Sequence, residues 1–424
     1  MKPINLIFDA TVLTNYFYKN DNRSGIFFAA FNILNELLKR TDVNVSLYIA
    51  PEKYADGSRL KEELFPNVNF IQDFSKYDFL KKIYVKLEKA YSSVYDHIWL
   101  RKTISIWIIL LNYLFNIIAG INNDRLKSYD AFLSPVYKIP DSIRKCSSVK
   151  PYVVLHDCIP FLFPEYYPQR TNVVNDVMRT SLNSDYFFCN SEATQNDYKK
   201  IFSVVSNDNS SVIYLAADSK FIHRSNKNEL EYIQKKYNIP QGKKYVFSLC
   251  TLEPRKNLLR AVKNFLCFLE KNKVDDLVWV MGGSAWVTFI ETLKKEGSVW
   301  NPSVIIRAGY VDDEDLPVLY SNAEWFVYTS QYEGFGLPPL EAMQCGCPII
   351  TSNNSSLPEV VGDAGIMIDW DSDEQHIKAY EKLYYDENLR KDYGSRAQER
   401  AKKFSWKKTV DKIIDVMKDR NRYA

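Results

Sequence analysis

Two glutamates with seven residues between them flank a glycine-rich turn in Glu333-Gly334-Phe335-Gly336-Leu337-Pro338-Pro339-Leu340-Glu341, and Ala342, Met343, Gly346, Cys347 and Pro348 follow. Pro338 and Pro339 suit the first turn of a helix, where a missing N–H costs nothing. The amides from Gly334 to Leu337 then face outward at the positive end of the helix dipole, an arrangement suited to a phosphate. Glycine lets the backbone approach such a ligand closely. One carboxylate precedes this cradle and the other lies on the helix behind it. Neither is placed to neutralise phosphate, so sugar or ribose hydroxyls are the expected partners. The stretch reads as a nucleotide-sugar site.

A second constellation is Cys250-Thr251-Leu252-Glu253-Pro254-Arg255-Lys256-Asn257-Leu258, which ends an apolar run and opens a helix. Adjacent Arg and Lys meet two parts of a diphosphate, Arg as a fork and Lys as a point charge. Cations at a helix start oppose the dipole unless an anion occupies the site. His156-Asp157 closes the run Pro151–Leu155, so the imidazole is expected at a strand's end, facing a cleft, as a positioning and electrostatic group more than a base. His97, His223 and His376 form no cluster with it, and a histidine metal site is not expected. Asp371-Ser372-Asp373 has the look of a metal-binding pair, but it precedes a helical run and reads as a helix cap.

The elements that must carry these residues alternate. Tyr245–Cys250, Leu277–Met281, Val304–Gly309, Trp325–Tyr328, Pro348–Thr351 and Gly365–Ile368 are short apolar runs separated by helical segments such as Asn257–Lys271 and Asp315–Ser321. The first half repeats the rhythm more loosely, at Ile4–Asp9, Val45–Ile49, Tyr152–His156, Tyr186–Cys189 and Val212–Tyr214. That pattern predicts an α/β fold of parallel sheets with right-handed crossovers. A chain of 424 residues exceeds one core, so two Rossmann-like domains facing a central cleft are expected, with Asn238–Gly242 as the linker. The boundaries fall at 1–238, 239–403 and a final helix over 404–424.

With 46% hydrophobic and 25% charged residues the composition is that of an ordinary globular protein, and a net charge of +3 gives no case for nucleic acid. Seven cysteines without a CxxC pair fit a reducing cytoplasm. The apolar run at the N-terminus stops at Asp9 and reads as a first strand, not a signal peptide. Residues 103–123 carry no charge and are long enough to span a bilayer. A crossing there would separate the first strand from the Tyr152 strand, which is impossible if both share a sheet. Residues 81–127 hold eight Lys/Arg against three Asp/Glu, so a helix lying on an anionic membrane surface is expected, with a helix buried in the first domain as the alternative.

Taken in order, Arg255-Lys256-Asn257, Gly309-Tyr310-Val311, Asp315-Leu316 and the Glu333…Glu341 block with Gly346 and Pro348 resemble the retaining "group 1", or family 4, glycosyltransferases. Arg23-Ser24-Gly25-Ile26, His156-Asp157, Asn190-Ser191-Glu192 and Asp218 extend the resemblance to the first half. It implies the GT-B fold and a nucleotide-diphosphate sugar used without a metal or other cofactor. Glu333 would face the donor sugar, Glu341 the ribose, and Arg255 with Lys256 the diphosphate. Tyr310 and Val311 would meet the base, and Thr251 with Gly334, Phe335, Gly336 and Leu337 would complete the donor set. His156 would approach the donor sugar; with Glu333, Arg255 and Lys256 it makes the expected catalytic group. Gly25 and Asp157 would line the acceptor side, and the loop Phe161–Tyr167 is a further acceptor-side candidate. One departure from the pattern is Cys250, where many relatives carry an arginine ahead of the lysine.

As the donor's glycosidic bond breaks, charge grows on the leaving diphosphate, and fixed cations and N–H groups favour that transition state. Retention would let the leaving phosphate take the acceptor proton. The Arg-Lys-Asn variant is common among mannosyltransferases. The expected activity is therefore hexose transfer, with GDP-mannose favoured, to a glycan or polyprenyl-diphosphate-linked acceptor in surface polysaccharide synthesis. The expected location is cytoplasmic, against the inner face of the plasma membrane. Two other readings stay open: a nucleotide-sugar 2-epimerase of the same fold, and a non-catalytic partner subunit. The tail around Phe404 and Trp406 resembles the one that crosses back to the first domain.

Overall fold

The computed structural model describes residues 2–18, 25–74, 78–93, 98–118, 123–167, 173–284, 286–295 and 301–422. Arg23, Ser24 and His97, and residues 119–122 of the uncharged segment, lie outside them. The first half holds strands β1 (Ile4–Asp9), β2 (Val43–Tyr48), β3 (Asn69–Phe70), β4 (Ala131–Ser134), β5 (Lys150–Leu155), β6 (Tyr186–Cys189) and β7 (Ser210–Val212). They form a seven-stranded sheet in the order β3-β2-β1-β4-β5-β6-β7. The second half holds β8 (Lys244–Leu249), β9 (Leu277–Gly282), β10 (Ile305–Gly309), β11 (Trp325–Tyr328), β12 (Ile349–Ser352) and β13 (Ile366–Ile368), in the order β10-β9-β8-β11-β12-β13. Every ladder is parallel.

Strands buried on both faces must be apolar throughout. Leu6, Ile7 and Phe8 are fully buried, as are Trp325, Phe326 and Val327. The strand order reverses between β1 and β4 in one sheet and between β8 and β11 in the other, and such points open crevices at the strands' C-terminal ends. β3 and β4 were not foreseen. β3 has two residues, and β4 is a four-residue run whose strand state rests on pairing with β1 and β5.

The final helix, Trp406–Arg422, packs on the first half. Val410, Ile413, Ile414 and Met417 are fully buried in one cluster with Leu6, Phe8, Ile33 and Leu47. Lys418 pairs with Asp42 at 2.7 Å, Arg40 with Asp411, and Thr409 donates to the Tyr214 carbonyl at 2.6 Å.

Much of the uncharged segment lies in the helix Ile98–Ile118, which packs against the helix Asp78–Ser93. Leu111 and Phe115 turn inward, with Phe115 stacked on Tyr54 at 5.3 Å. Trp99, Ile106, Leu110 and Tyr113 are exposed on the opposite face, and Trp107, one turn before Leu111, is exposed as well. Both faces are apolar, which is why the sequence showed no clean polar stripe. β1 and β5 lie in one sheet, and among the described residues no helix is long and apolar enough to cross a membrane.

Candidate active site

β8 ends in a tight turn, Pro254–Lys256, closed by Asn257 in the left-handed conformation at φ 57°. The Asn257 side chain donates to the Thr329 and Trp370 carbonyls at 3.0 and 2.6 Å. That pins the turn across the sheet and sends Arg255 and Lys256 back over the strand ends. There Lys256 Nζ donates to Glu333 Oε1 at 2.7 Å and to the Tyr328 hydroxyl at 2.8 Å. Arg255 reaches Glu253 Oε1 at 2.5 Å, Glu333 Oε1 at 3.3 Å and the Tyr332 carbonyl. β8 and β11 are neighbours at the order reversal, so residues 77 positions apart meet where the fold opens its crevice.

The Glu333 turn is held from behind. Ser355 Oγ accepts from Glu333 N at 3.0 Å, and Ser356 Oγ donates to the carbonyls of Glu333 and Phe335 at 3.0 and 2.8 Å. Gly336, at φ 108°, precedes the helix Leu337–Gln344, which has proline in its first turn. That conformation favours glycine. The amides of Phe335, Gly336 and Leu337 have no acceptor among the described residues. On the helix, Glu341 accepts from the Tyr320 hydroxyl at 3.1 Å.

The first half closes over this turn. A Cβ on Gly334 would fall 2.2 Å from the His156 carbonyl oxygen, so only glycine allows the approach. One on Gly25 would sit 3.3 Å from Leu337 Cδ1. Between the halves lies a cavity of about 580 Å³. His156, Asp157 and Gly25 line it from the first half. Thr251, Arg255, Lys256, Tyr310 and Val311 line it from the second, together with Glu333, the turn Gly334–Leu337 and Glu341. All the expected site residues therefore share one cavity, although the Phe335 ring is buried beside Tyr214 and Phe404.

Charge in the cavity is tightly balanced. Burial alone would raise the Glu333 carboxyl, but the Lys256 ammonium and the Arg255 guanidinium outweigh it and hold the acid below its ordinary value. Burial opposes the Lys256 charge too, and Glu333 overrides it and raises that amine. Burial pushes Glu341 up to about 7 and the Cys250 thiol up to about 12. It lowers His156, which stays neutral at pH 7. His156 Nε2 lies 2.7 Å from the Pro135 carbonyl, which can only accept, so Nε2 carries the proton and Nδ1 keeps a lone pair. Among the described residues, three buried polar atoms of cavity-lining residues have no hydrogen-bond partner, Arg255 Nε, Asn190 Oδ1 and Trp406 Nε1, as expected of a site built for a ligand.

Several lining residues escaped sequence reasoning. Tyr328 is hidden within an apolar strand. Lys220 and Asp313 sit in polar loops with no motif, and Trp406 arrives on the final helix. Asn190 and Asp218 were noticed only as matching segments, without a role. The aromatic loop also bridges the two halves, while Tyr167 borders a second cavity with His156, Asp157 and Arg255. Phe163 stacks on Tyr166 and leans on Tyr332, and the Tyr166 hydroxyl donates to Gln331 at 3.1 Å, so the loop ties the halves together. Ser372 caps the helix Asp373–Tyr385, and Asp373 is held by Arg260 and Asn264 at 2.6 and 2.9 Å.

Residues 230–400 match the family described as Glycosyl transferases group 1. The chain is 32% identical over 303 residues to O-antigen chain mannosyltransferase B of Escherichia coli, covering 69% of this chain and 76% of that protein. To the serotype-specific mannosyltransferase WbdA of Escherichia coli it is 27% identical over 271 residues, covering 63% of this chain but only 33% of that longer protein. Among solved structures, WaaG, a glycosyltransferase involved in lipopolysaccharide biosynthesis, superposes with a TM-score of 0.62 over 97% of this chain and 99% of its own, at 14% identity. The Anabaena HepE protein, solved with UDP and glucose, gives 0.62 over 98% and 100% at 15% identity. Motif, fold and relatives converge: the chain belongs to the glycosyl transferases group 1 family and is a glycosyltransferase of the GT-B fold.

Proposed function

We propose that this enzyme transfers mannose from GDP-mannose, with retention of configuration and without a metal, to a growing glycan carried on a polyprenyl diphosphate, in O-antigen synthesis. The observation that carries this is the convergence of Arg255, Lys256, Glu333, Glu341 and His156 on one cavity between the halves. The mannosyltransferase relatives supply the sugar and the pathway. Arg255, Lys256 and the open amides of Phe335 to Leu337 hold the diphosphate. As the bond from the anomeric carbon to the phosphate oxygen breaks, they stabilise the charge on the departing group. The acceptor oxygen bonds to the anomeric carbon on the same face, and its proton passes to the leaving phosphate. His156, neutral, accepts a hydroxyl hydrogen at Nδ1 and orients the sugar. Glu333, kept ionised by the two cations, accepts from sugar hydroxyls, and Glu341 from the ribose.

Purified enzyme with GDP-mannose, UDP-glucose and ADP-glucose, each with and without EDTA, tests this directly. Transfer from GDP-mannose that survives EDTA and yields an α-linked product is expected. Turnover of a uridine donor alone overturns the donor assignment, and loss of activity with EDTA overturns the metal-free mechanism.

The same reading places the enzyme peripherally at the inner face of the plasma membrane, through the helix Ile98–Ile118. Trp99, Trp107 and Tyr113 are 85%, 57% and 67% exposed, and Lys102 is exposed near them. Cosedimentation with phosphatidylglycerol vesicles should fall at least ~fivefold in Trp107→Glu, and equal binding by the variant rules this surface out.

A further inference from the structure

The helix Glu192–Ile201 starts just after β6 in the first half, and its first turn grips the second. Ser191 and Thr194, both buried, donate to the Gly334 carbonyl at 2.7 and 3.1 Å, and the Thr194 hydroxyl is shared with the His156 carbonyl at 3.3 Å. The amides of Glu192 and Ala193 donate to the two carboxylate oxygens of Glu359, at 2.7 and 2.8 Å. Glu359 lies on the short helix Leu357–Val361, next to the Ser355 and Ser356 that brace the Glu333 turn. The turn is thus clamped from behind by its own half and from the front by the other.

A carbonyl with two hydroxyls on it has its peptide plane fixed. In a trans peptide the C=O and the following N–H point in opposite directions. With the Gly334 oxygen anchored on Ser191 and Thr194, the Phe335 N–H must point away from them. That amide has no acceptor among the described residues, and Phe335 lines the cavity.

We infer that Ser191 and Thr194 are positioning residues for the transfer reaction: from the opposite half they lock the Gly334–Phe335 peptide so that the Phe335 N–H is aimed at the departing phosphate. This rests on the reading that the diphosphate leaves against the Gly334–Leu337 turn. It assigns the first half a part in stabilising the leaving group on the second, and that part exists only while the halves are closed.

Thr194→Val tests this, because it removes a hydroxyl at near-constant shape and keeps the Thr194 N to Ser191 Oγ cap, and the contact to the His156 carbonyl at 3.3 Å goes with it. With whichever nucleotide sugar the wild type turns over, we expect kcat to fall about tenfold and KM for the donor to stay within about twofold. Calorimetric GDP or UDP affinity should weaken as well, because the nucleoside diphosphate is the leaving group itself, and Thr194→Ser should restore both. Adding Ser191→Ala should deepen the loss to about a hundredfold. Wild-type kcat in the double variant overturns the inference. So does a loss that Thr194→Ser shares, since the methyl would then be responsible. Lys256→Ala serves as a separate control: if it leaves nucleotide affinity intact, the phosphate placement itself is wrong, and the aim assigned to Phe335 goes with it.

Discussion

Lys256 and Glu333 are each other's main counter-charge, 2.7 Å apart and largely out of water. Removing one member of such a pair leaves a buried, uncompensated charge, which costs about 3–5 kcal/mol. Lys256→Ala should lower kcat/KM by at least ~100-fold, because it removes a cation from the developing leaving-group charge and frees Glu333 to take up a proton. Steady-state kinetics will show it, and a loss confined to KM argues that Lys256 binds ground state and transition state alike. Glu341 offers a pH test. Burial raises its carboxyl from 4.5 to about 7, so between those values the folded protein keeps a proton that the unfolded chain has released. The burial penalty is absent below about 4.5 and complete above about 7, so this group's effect is to lower stability as pH rises through that window. Denaturant melts of wild type and Glu341→Gln across pH 4.5–7.5 should differ by that slope, and parallel curves refute it.

At the scale of elements, the turn that follows Glu333 works because it is braced on both sides, by Ser355 and Ser356 behind and by Ser191 and Thr194 in front. Its closeness to β5 is set by the missing side chain of Gly334. In Gly334→Ala the new methyl would fall 2.2 Å from the His156 oxygen, a main-chain atom with little room to yield. The halves should be held apart: the radius of gyration in small-angle scattering should rise, and kcat should fall by about two orders of magnitude or more. An unchanged radius with full activity would mean that the turn and β5 need not touch. The helix Ile98–Ile118 follows a different rule, since it has apolar residues on both faces and only one of them is satisfied by packing on Tyr54 and Tyr84.

At the scale of the whole molecule, the chain ends by returning to its beginning. Ile413 and Ile414 are fully buried among residues of β1, β2 and the helix Gly25–Leu38, while Trp406 on the same helix lines the cavity. The final helix is thus a structural part of the first half that also touches the site. Ile413→Ala should cost about 2–5 kcal/mol, detected as a lower denaturation midpoint, and the first half should respond before the second. If the loss were below ~1 kcal/mol, the helix would be docked on the surface only.

The candidate site residues were legible in the sequence because the chemistry expected of them needs particular residue types at short spacings: Arg255-Lys256 after a strand, and Glu333 and Glu341 around a glycine turn. Most strands were legible too, since a strand buried on both faces must be apolar at every position, and Ile4–Asp9, Tyr186–Cys189 and Trp325–Tyr328 have the bounds that the run lengths predict. β3 and β4 were not, because so short a strand owes its state to its neighbours. Tertiary structure alone decided the contacts between distant positions. It brought Gly334 against His156, put Ser191 and Thr194 on the Gly334 carbonyl, and tied the Phe161–Tyr167 loop to the other half. Local sequence can specify a residue's chemistry and its strand or helix, because both depend on neighbours in the chain. Which carbonyl a buried hydroxyl finds 140 residues away depends on how two sheets close on each other, and no local pattern encodes that.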